Sequence, residues 1–318
     1  VSTRSPRTPR LSVITPVYNC LSYTKAMLAS LQATIPWYVS YEVILVDDGS
    51  TDGTREWLLG LGEPFRVVLN ERNIGFGAST NRGAALARGR TLALLNNDLV
   101  LRRGWLGPMM RALGSVARRT GVVGNVQVDA ATGEVDHRGI VVDVKCKPGH
   151  DRRKPSLAAL LFRPTPGVFA VTGACLLVRT CLWRRLGGFD ERYFNGCEDI
   201  DLCLRAREAG FGVVVALRSR VLHHVSSSPG RKRRDEENSM RLFTRWRDKL
   251  SEEASREWTR ERFCEILPEP RDFPDNTEAL KTALYLLRLR RLPPADAVAA
   301  KHVAIEHEME RWRKMFSH

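Results

Sequence analysis

From Leu11 to Leu95 the chain alternates short apolar runs with amphipathic stretches, and this alternation narrows the possible folds more than any other feature. Residues 11–15, 42–46, 66–69 and 91–95 read as strands, while residues 22–34, 51–61 and 77–88 carry helical spacing. Strands that recur with helices between them imply an α/β fold, a parallel sheet covered on both faces. Ligands of such sheets sit beyond the carboxyl ends of the strands. Thr15, Asp47, Asp48 and Asp98 all fall at or just past those ends.

Two acidic features carry chemistry. Leu94-Leu95-Asn96-Asn97-Asp98 is an apolar run that delivers one carboxylate to the sheet edge. Asp98 suits a hard divalent cation, with diphosphate oxygens and water completing an octahedron. A hundred residues later, Glu198, Asp199 and Asp201 crowd a single turn before a helix-like stretch at 202–210. Acids at a helix N-terminus are favoured by the macrodipole, each by roughly 0.3–1 kcal/mol, and that alone accounts for such a cluster. Gly196, just before it, leaves the backbone free to bring a carboxylate into a cleft. Crowded acids raise one another's pKa, which suits a general base.

Asn73-Ile74-Gly75-Phe76-Gly77 lies between the third strand and a helix. The glycines allow close backbone approach, and free N–H groups at a helix start suit a phosphate. A plain turn has the same composition. Asn81 and Arg82 stand one turn further on and are expected to face the same crevice.

The net charge of +14 is partly local: Arg4, Arg7 and Arg10 lie in a Ser/Pro/Thr-rich lead, and residues 231–234 form a basic run. Such an excess favours nucleotide diphosphates, anionic lipid headgroups or nucleic acid. Basic stripes interleaved with aromatics and helix-turn-helix spacing are both missing, which argues against nucleic acid. The seven cysteines are odd in number and form no C-x-x-C pair, so neither a disulfide framework nor a zinc site is expected, and a reducing cytoplasm is. No apolar run approaches the roughly 20 residues of a membrane-spanning helix, so the expectation is a soluble or peripheral protein. Val1 opens the chain without a signal-like stretch, as in a domain excised from a longer protein.

Several motifs, in this order, resemble those of family 2 glycosyltransferases of GT-A fold. They are Val13-Ile14-Thr15-Pro16-Val17-Tyr18-Asn19, Val46-Asp47-Asp48-Gly49-Ser50, Asn73-Ile74-Gly75-Phe76-Gly77, and Leu95-Asn96-Asn97-Asp98. Thr172-Gly173-Ala174-Cys175, Leu186-Gly187-Gly188-Phe189-Asp190-Glu191 and Glu198-Asp199-Ile200-Asp201 continue the match, which covers about residues 10–250. The branch it is most similar to includes rhamnosyltransferase-like enzymes of bacterial surface polysaccharides. The resemblance implies a mostly parallel central sheet flanked by helices. The expected organisation is a basic arm at 1–10, a catalytic domain at 11–250 and a helical extension at 251–318.

The resemblance also implies roles. Thr15, Pro16 and Tyr18 would contact the nucleotide and Asp47 its base, with Asp48, Asn73, Gly75, Asn81 and Asn97 lining the same donor site. The family's metal motif is Asp-x-Asp, of which Asn96-Asn97-Asp98 keeps only the last carboxylate. Asp98 and His223 are the expected ligands of Mn²⁺ or Mg²⁺, with His224 one register away. Asp199 is the expected base, and Glu198 the second choice. The implied reaction is metal-dependent transfer, with inversion, from a UDP-, dTDP- or GDP-sugar to a glycan or lipid-linked glycan, in the cytoplasm or at the inner face of the membrane.

A degenerate domain that binds nucleotide sugar without turnover is the alternative. A nucleotidyltransferase is disfavoured, because Pro16-Val17-Tyr18-Asn19 lacks that class's Gly-rich loop and Lys. Residues 135–166 read as an insertion, either an acceptor-side loop or an inert one, and 226–230 as a loop that closes over the donor. In the tail, 277–291 and 295–316 have helical spacing, so Leu280, Leu284, Leu287 and Trp312 either pack back on the catalytic domain or dock a partner, a neighbouring domain or an anionic membrane face.

Overall fold

A computed structural model of the chain describes residues 8–117, 119–224, 231–266 and 276–317. The chain divides into two compact units, residues 1–140 with 150–234, and residues 141–149 with 235–318. The expected boundary at 250/251 falls inside one long helix, and the compact units part at 234/235 instead.

The first unit begins with β1 (Leu11–Val17), α1 (Leu21–Thr34), β2 (Tyr41–Asp47), α2 (Thr54–Leu59), β3 (Phe65–Leu69), α3 (Phe76–Ala85) and β4 (Thr91–Leu95). There follow β5 (Leu99–Leu101), α4 (Leu106–Leu113), β6 (Thr120–Asp129) and β7 (Val135–His137). After the hairpin of β8 (Ile140–Val142) and β9 (Pro148–His150), most of which belongs to the second unit, the first unit continues with α5 (Leu157–Phe162), β10 (Cys175–Arg179), α6 (Thr180–Leu186), α7 (Glu198–Glu208) and β11 (Gly212–His223).

Among the described residues, nine strands form one sheet in the order β3-β2-β1-β4-β10-β6-β11-β5, with β7 pairing β6. The strands of the first half pair in parallel, as the alternation predicts. The second half is mixed: β10 runs antiparallel to β4 and β6, and β11 runs parallel to β6 but antiparallel to β5. The continuous apolar runs of β1, β2 and β4 follow from burial on both faces. Thr24, Met27, Leu28 and Leu31 give α1 a buried stripe at helical spacing, and Leu106, Met109 and Leu113 do the same for α4. Both stripes join the core cluster that includes Val13, Leu45, Ala93 and Leu177. Burying each such side chain contributes about 1.5–3 kcal/mol.

The second unit contains α8 (Arg231–Ile266), non-helical at Trp246, then α9 (Asn276–Leu286) and α10 (Ala295–Phe316). Trp312 is buried within it, its ring near Phe243 and its Nε1 donating to Glu236 at 2.9 Å, whereas Leu280 and Leu287 remain exposed. No helix among the described residues is long and apolar enough to cross a membrane. All seven cysteines are free.

Candidate active site

Three loops at the carboxyl edge of the first parallel strands are tied together by short polar side chains. Asn19, left-handed at φ 56, donates its N–H to Ser50 Oγ at 2.8 Å and accepts from Thr51 N–H at 2.8 Å, joining the ends of β1 and β2. Thr15 lies two residues inside β1, fully buried, and its hydroxyl has no partner. Pro16 follows it in the strand, and Tyr18, just past the strand, is 49% exposed.

Asp47 and Asp48 both bind protein groups. Asp47 is fully buried, accepts the Ser50 N–H at 3.2 Å and pairs with Arg55 at 2.7 Å; Arg55 also donates to the Asn70 carbonyl. Asp48 Oδ1 accepts from Asn70 Nδ2 at 2.8 Å and Ile74 N–H at 2.9 Å, and its Oδ2 accepts from Gly75 N–H at 3.0 Å. Asn73 Oδ1 accepts from the same Gly75 N–H at 3.1 Å. A carboxylate that accepts several N–H bonds is a strong organiser, and Asp48 thereby sets the path of the glycine loop.

Gly75 has φ 92 and ψ 162, a region that only glycine enters readily, and a Cβ there would overlap the Phe194 carbonyl oxygen. Phe76 N–H donates to Asn195 Oδ1 at 2.8 Å, so the glycine loop meets the segment before α7. Asn81 faces elsewhere than the crevice: its side chain clasps Phe189 N–H and C=O, each at 2.9 Å, and Glu191, fastening α3 to that segment. Asn97 Nδ2 donates to Thr24 Oγ1 at 3.0 Å and more weakly to the Asn19 carbonyl.

The three acids at the start of α7 do different things. Asp201 is fully buried and pairs with Arg205 at 2.7 Å. Glu198 is buried and folds back to accept the Gly196 N–H at 2.6 Å. Asp199 is half-buried and reaches across to Gly173, accepting its N–H through Oδ2 at 2.8 Å, while Oδ1 accepts from Ile200 N–H. Burial raises the Asp199 pKa, against the lowering pull of those two N–H groups.

Asp98 and His223 come together from opposite halves of the chain. β11 pairs with β5, and His224 N–H donates to the Asp98 carbonyl at 2.9 Å, which sets His223 Nε2 at 3.5 Å from Asp98 Oδ1. His224 instead stacks on Tyr23, with ring centroids 4.8 Å apart. Behind His223 stands Asp136, from β7, with Oδ2 at 3.5 Å from His223 Nδ1 and 3.5 Å from His150 Nδ1. The imidazoles of His150 and His223 hold the Asp136 carboxyl far below the usual range. Burial works to lower the His223 pKa, yet Asp136 and Asp98 hold it up to about 9. His137 is fully buried, and burial keeps its pKa well down; its ring meets His150 edge to face at 4.7 Å, and its Nε2 accepts the Thr172 N–H at 3.3 Å. His150 also acts electrostatically on Asp199.

Asp136, His137 and His150 belong to the stretch read from sequence as an insertion. Their only sequence signal was the pairing of histidine with acid in Asp136-His137 and His150-Asp151. The proposed donor-covering loop at 226–230 lies outside the described residues.

The residues present fit a divalent cation. Asp98 Oδ1 and Asn96 Oδ1 are buried without a hydrogen-bond partner, and His223 Nε2 faces the first of them. Oxygen and imidazole donors suit Mn²⁺ or Mg²⁺. No group of three His, Cys, Asp or Glu side chains in metal-binding arrangement occurs among the described residues.

Residues 12–184 match the family model described as glycosyl transferase family 2, and the chain belongs to that family. It is 31% identical over 235 residues to the O-antigen biosynthesis protein RfbC of Myxococcus xanthus, covering 70% of this chain and 18% of that one. It is 30% identical over 244 residues to N-acetylglucosaminyl-diphospho-decaprenol L-rhamnosyltransferase of Mycobacterium tuberculosis, covering 70% and 78%. The chain spans a quarter or less of the length of two of the curated relatives it matches. Among solved structures it is similar to GalNAc-T7 with UDP, GalNAc and Mn²⁺, at TM-score 0.62 and 17% identity over 80% of this chain and 51% of that one. It is also similar to the mannosyltransferase PcManGT of Pyrobaculum calidifontis with GDP-Man and Mn²⁺, at TM-score 0.51 and 19% identity over 95% and 75%. These likenesses establish the GT-A fold expected from the motifs.

Proposed function

We propose that this domain transfers a sugar from a nucleotide-diphosphate donor to a hydroxyl of a glycan or lipid-linked glycan, inverting the anomeric carbon. The observation that carries the reading is the run of carboxylate and imidazole side chains from Asp98 through His223, Asp136 and His150 toward Asp199. It supports a cation site at one end of the group and a general base at the other.

Asp98 and His223 would hold Mn²⁺ or Mg²⁺, which when bound supplies positive charge against the leaving diphosphate. Thr15, Pro16, Tyr18 and Asn97 border the donor side, and Asp47, Asp48 and Asn73 keep the loops that receive the nucleotide in place. Gly75, its N–H held by Asp48 and Asn73 and its Cα against the Phe194 carbonyl, would shape the donor side through the path of the loop. Asp199 takes the proton from the acceptor hydroxyl, and its two backbone N–H bonds aim the carboxylate. Glu198, folded onto Gly196, shapes the approach to it. The relatives' names support an acceptor in surface-polysaccharide synthesis. UDP-, dTDP- and GDP-sugars are all candidate donors.

The test is transfer and hydrolysis across UDP-, dTDP- and GDP-sugars, with Mn²⁺, Mg²⁺ or EDTA, for the wild type, Asp98→Ala and Asp199→Asn. Release of one nucleotide that needs metal and is lost in both variants is the expected result. Asn96, in place of the family's first metal-motif acid, favours a second reading, binding without turnover. Donor binding with no transfer to any glycan acceptor would select that reading.

A further inference from the structure

We propose that the turn between α9 and α10 is a membrane-docking element that seats the second unit on an anionic bilayer. In six consecutive residues, Leu287, Leu289 and Leu292 alternate with Arg288, Arg290 and Arg291. The leucines are 68%, 74% and 69% exposed. Leu280, one face-length earlier on α9, is exposed too and extends the apolar stripe.

The backbone that presents these side chains is ordered by its own hydrogen bonds. Arg288 is left-handed at φ 64; its N–H donates to the Tyr285 carbonyl at 3.0 Å, and Leu289 N–H donates to the Leu284 carbonyl at 2.9 Å. This is the closure of a helix by an αL residue. Tyr285, directly beneath, is buried and anchors the turn. The leucines are therefore turned outward by a fixed turn.

Charge identifies the occupant. No acid lies between Glu278 and Asp296, and among the described residues Arg288, Arg290 and Arg291 form no ion pair. A run that is basic and apolar together complements a surface that is anionic outside and apolar just beneath. A bilayer surface offers anionic headgroups and acyl chains within one side-chain length. Leucines enter the acyl boundary while guanidinium groups stay among the phosphates. The proposal stands independently of the sugar-transfer reading, because it requires no turnover.

The test is vesicle flotation of the full chain with phosphatidylcholine alone and with phosphatidylcholine mixed with phosphatidylglycerol, at low and high salt. Two triple variants are compared with wild type: Arg288→Gln with Arg290→Gln and Arg291→Gln, and Leu287→Ser with Leu289→Ser and Leu292→Ser. The side chains altered are mostly exposed, so both triples should keep the wild-type circular dichroism, and either alone tests the proposal. Wild type should bind the phosphatidylglycerol vesicles and lose affinity with salt. The arginine triple should bind roughly a hundredfold more weakly, about fivefold for each charge near an anionic surface. The leucine triple should also weaken, on the same vesicles. No binding to anionic vesicles, or binding that either triple retains undiminished, overturns the proposal. So does a concentration-dependent dimer that the leucine triple dissolves, which would assign this face to a second copy.

Discussion

Asp136 Oδ2 stands 3.5 Å from His223 Nδ1, on the opposite side of the imidazole from Asp98. A carboxylate behind a metal-ligating histidine fixes the ring orientation and makes the ligating nitrogen more basic. On the proposed role of His223, Asp136 would be a positioning residue for the cation. Asp136→Asn should weaken Mn²⁺ binding by about 10- to 100-fold, read by titration calorimetry without donor or acceptor. Unchanged Mn²⁺ affinity would remove Asp136 from the site.

The raised pKa of Asp199 has a kinetic sign. A base works only when ionised, so kcat should fall as pH drops through that raised value, giving an acid limb above the ordinary aspartate range. Asp199→Asn should lower kcat by roughly a hundred- to ten-thousandfold and abolish the limb. A pH–rate profile of both proteins checks this; a limb that survives in the variant would assign it to another group.

Gly75 is the position where one methyl group should do most harm to the donor loop. Gly75→Ala places a Cβ against the Phe194 carbonyl at a φ that alanine resists. The expected loss is about 1–3 kcal/mol of stability, with weaker nucleotide binding because the loop must shift. Thermal melts and nucleotide titration measure the two effects separately. An alanine variant with wild-type values for both would show that the loop yields easily.

In the second unit, Glu236 accepts from Lys147 and Trp312 Nε1, each at 2.9 Å, and also pairs with Arg311. Burial works to raise its pKa, but Trp312, Lys147 and Arg311 bring it down to about 2. A depressed carboxyl pKa contributes stability that is complete above the unfolded value near 4.5 and is lost as pH falls toward 2. Glu236→Gln should cost about 1–3 kcal/mol at pH 7 and flatten the loss of melting temperature between pH 5 and about 2. Parallel slopes for variant and wild type would rule out Glu236 as the cause.

The strands, the helices between them and the acids at strand ends were legible because each is local: period, turn residue and charge sit within a few positions. The placing of Asp98 just past β4 and of Asp199 at the start of α7 was legible for the same reason. The duties of Asp48 and Asn81 were not, since Asp48 accepts from Ile74 and Gly75 and Asn81 clasps Phe189, contacts set by sheet and loop packing. The register of His223 against His224 was settled only by the pairing of β11 with β5. Asp136 and His150 were hidden because β7 reaches the sheet by antiparallel pairing with β6, with an irregular register that no short motif encodes.

The order of β11 in the sheet has a consequence for synthesis of the chain. Asp98 emerges early, but the strand that brings His223 to it is the last of the sheet to be made, and it inserts between β6 and β5. A nascent chain halted before residue 212 has Asp98 and Asp199 but lacks His223. Only the finished sheet therefore sets His223 beside Asp98, and the meeting of the two side chains is a product of the last strand to be made.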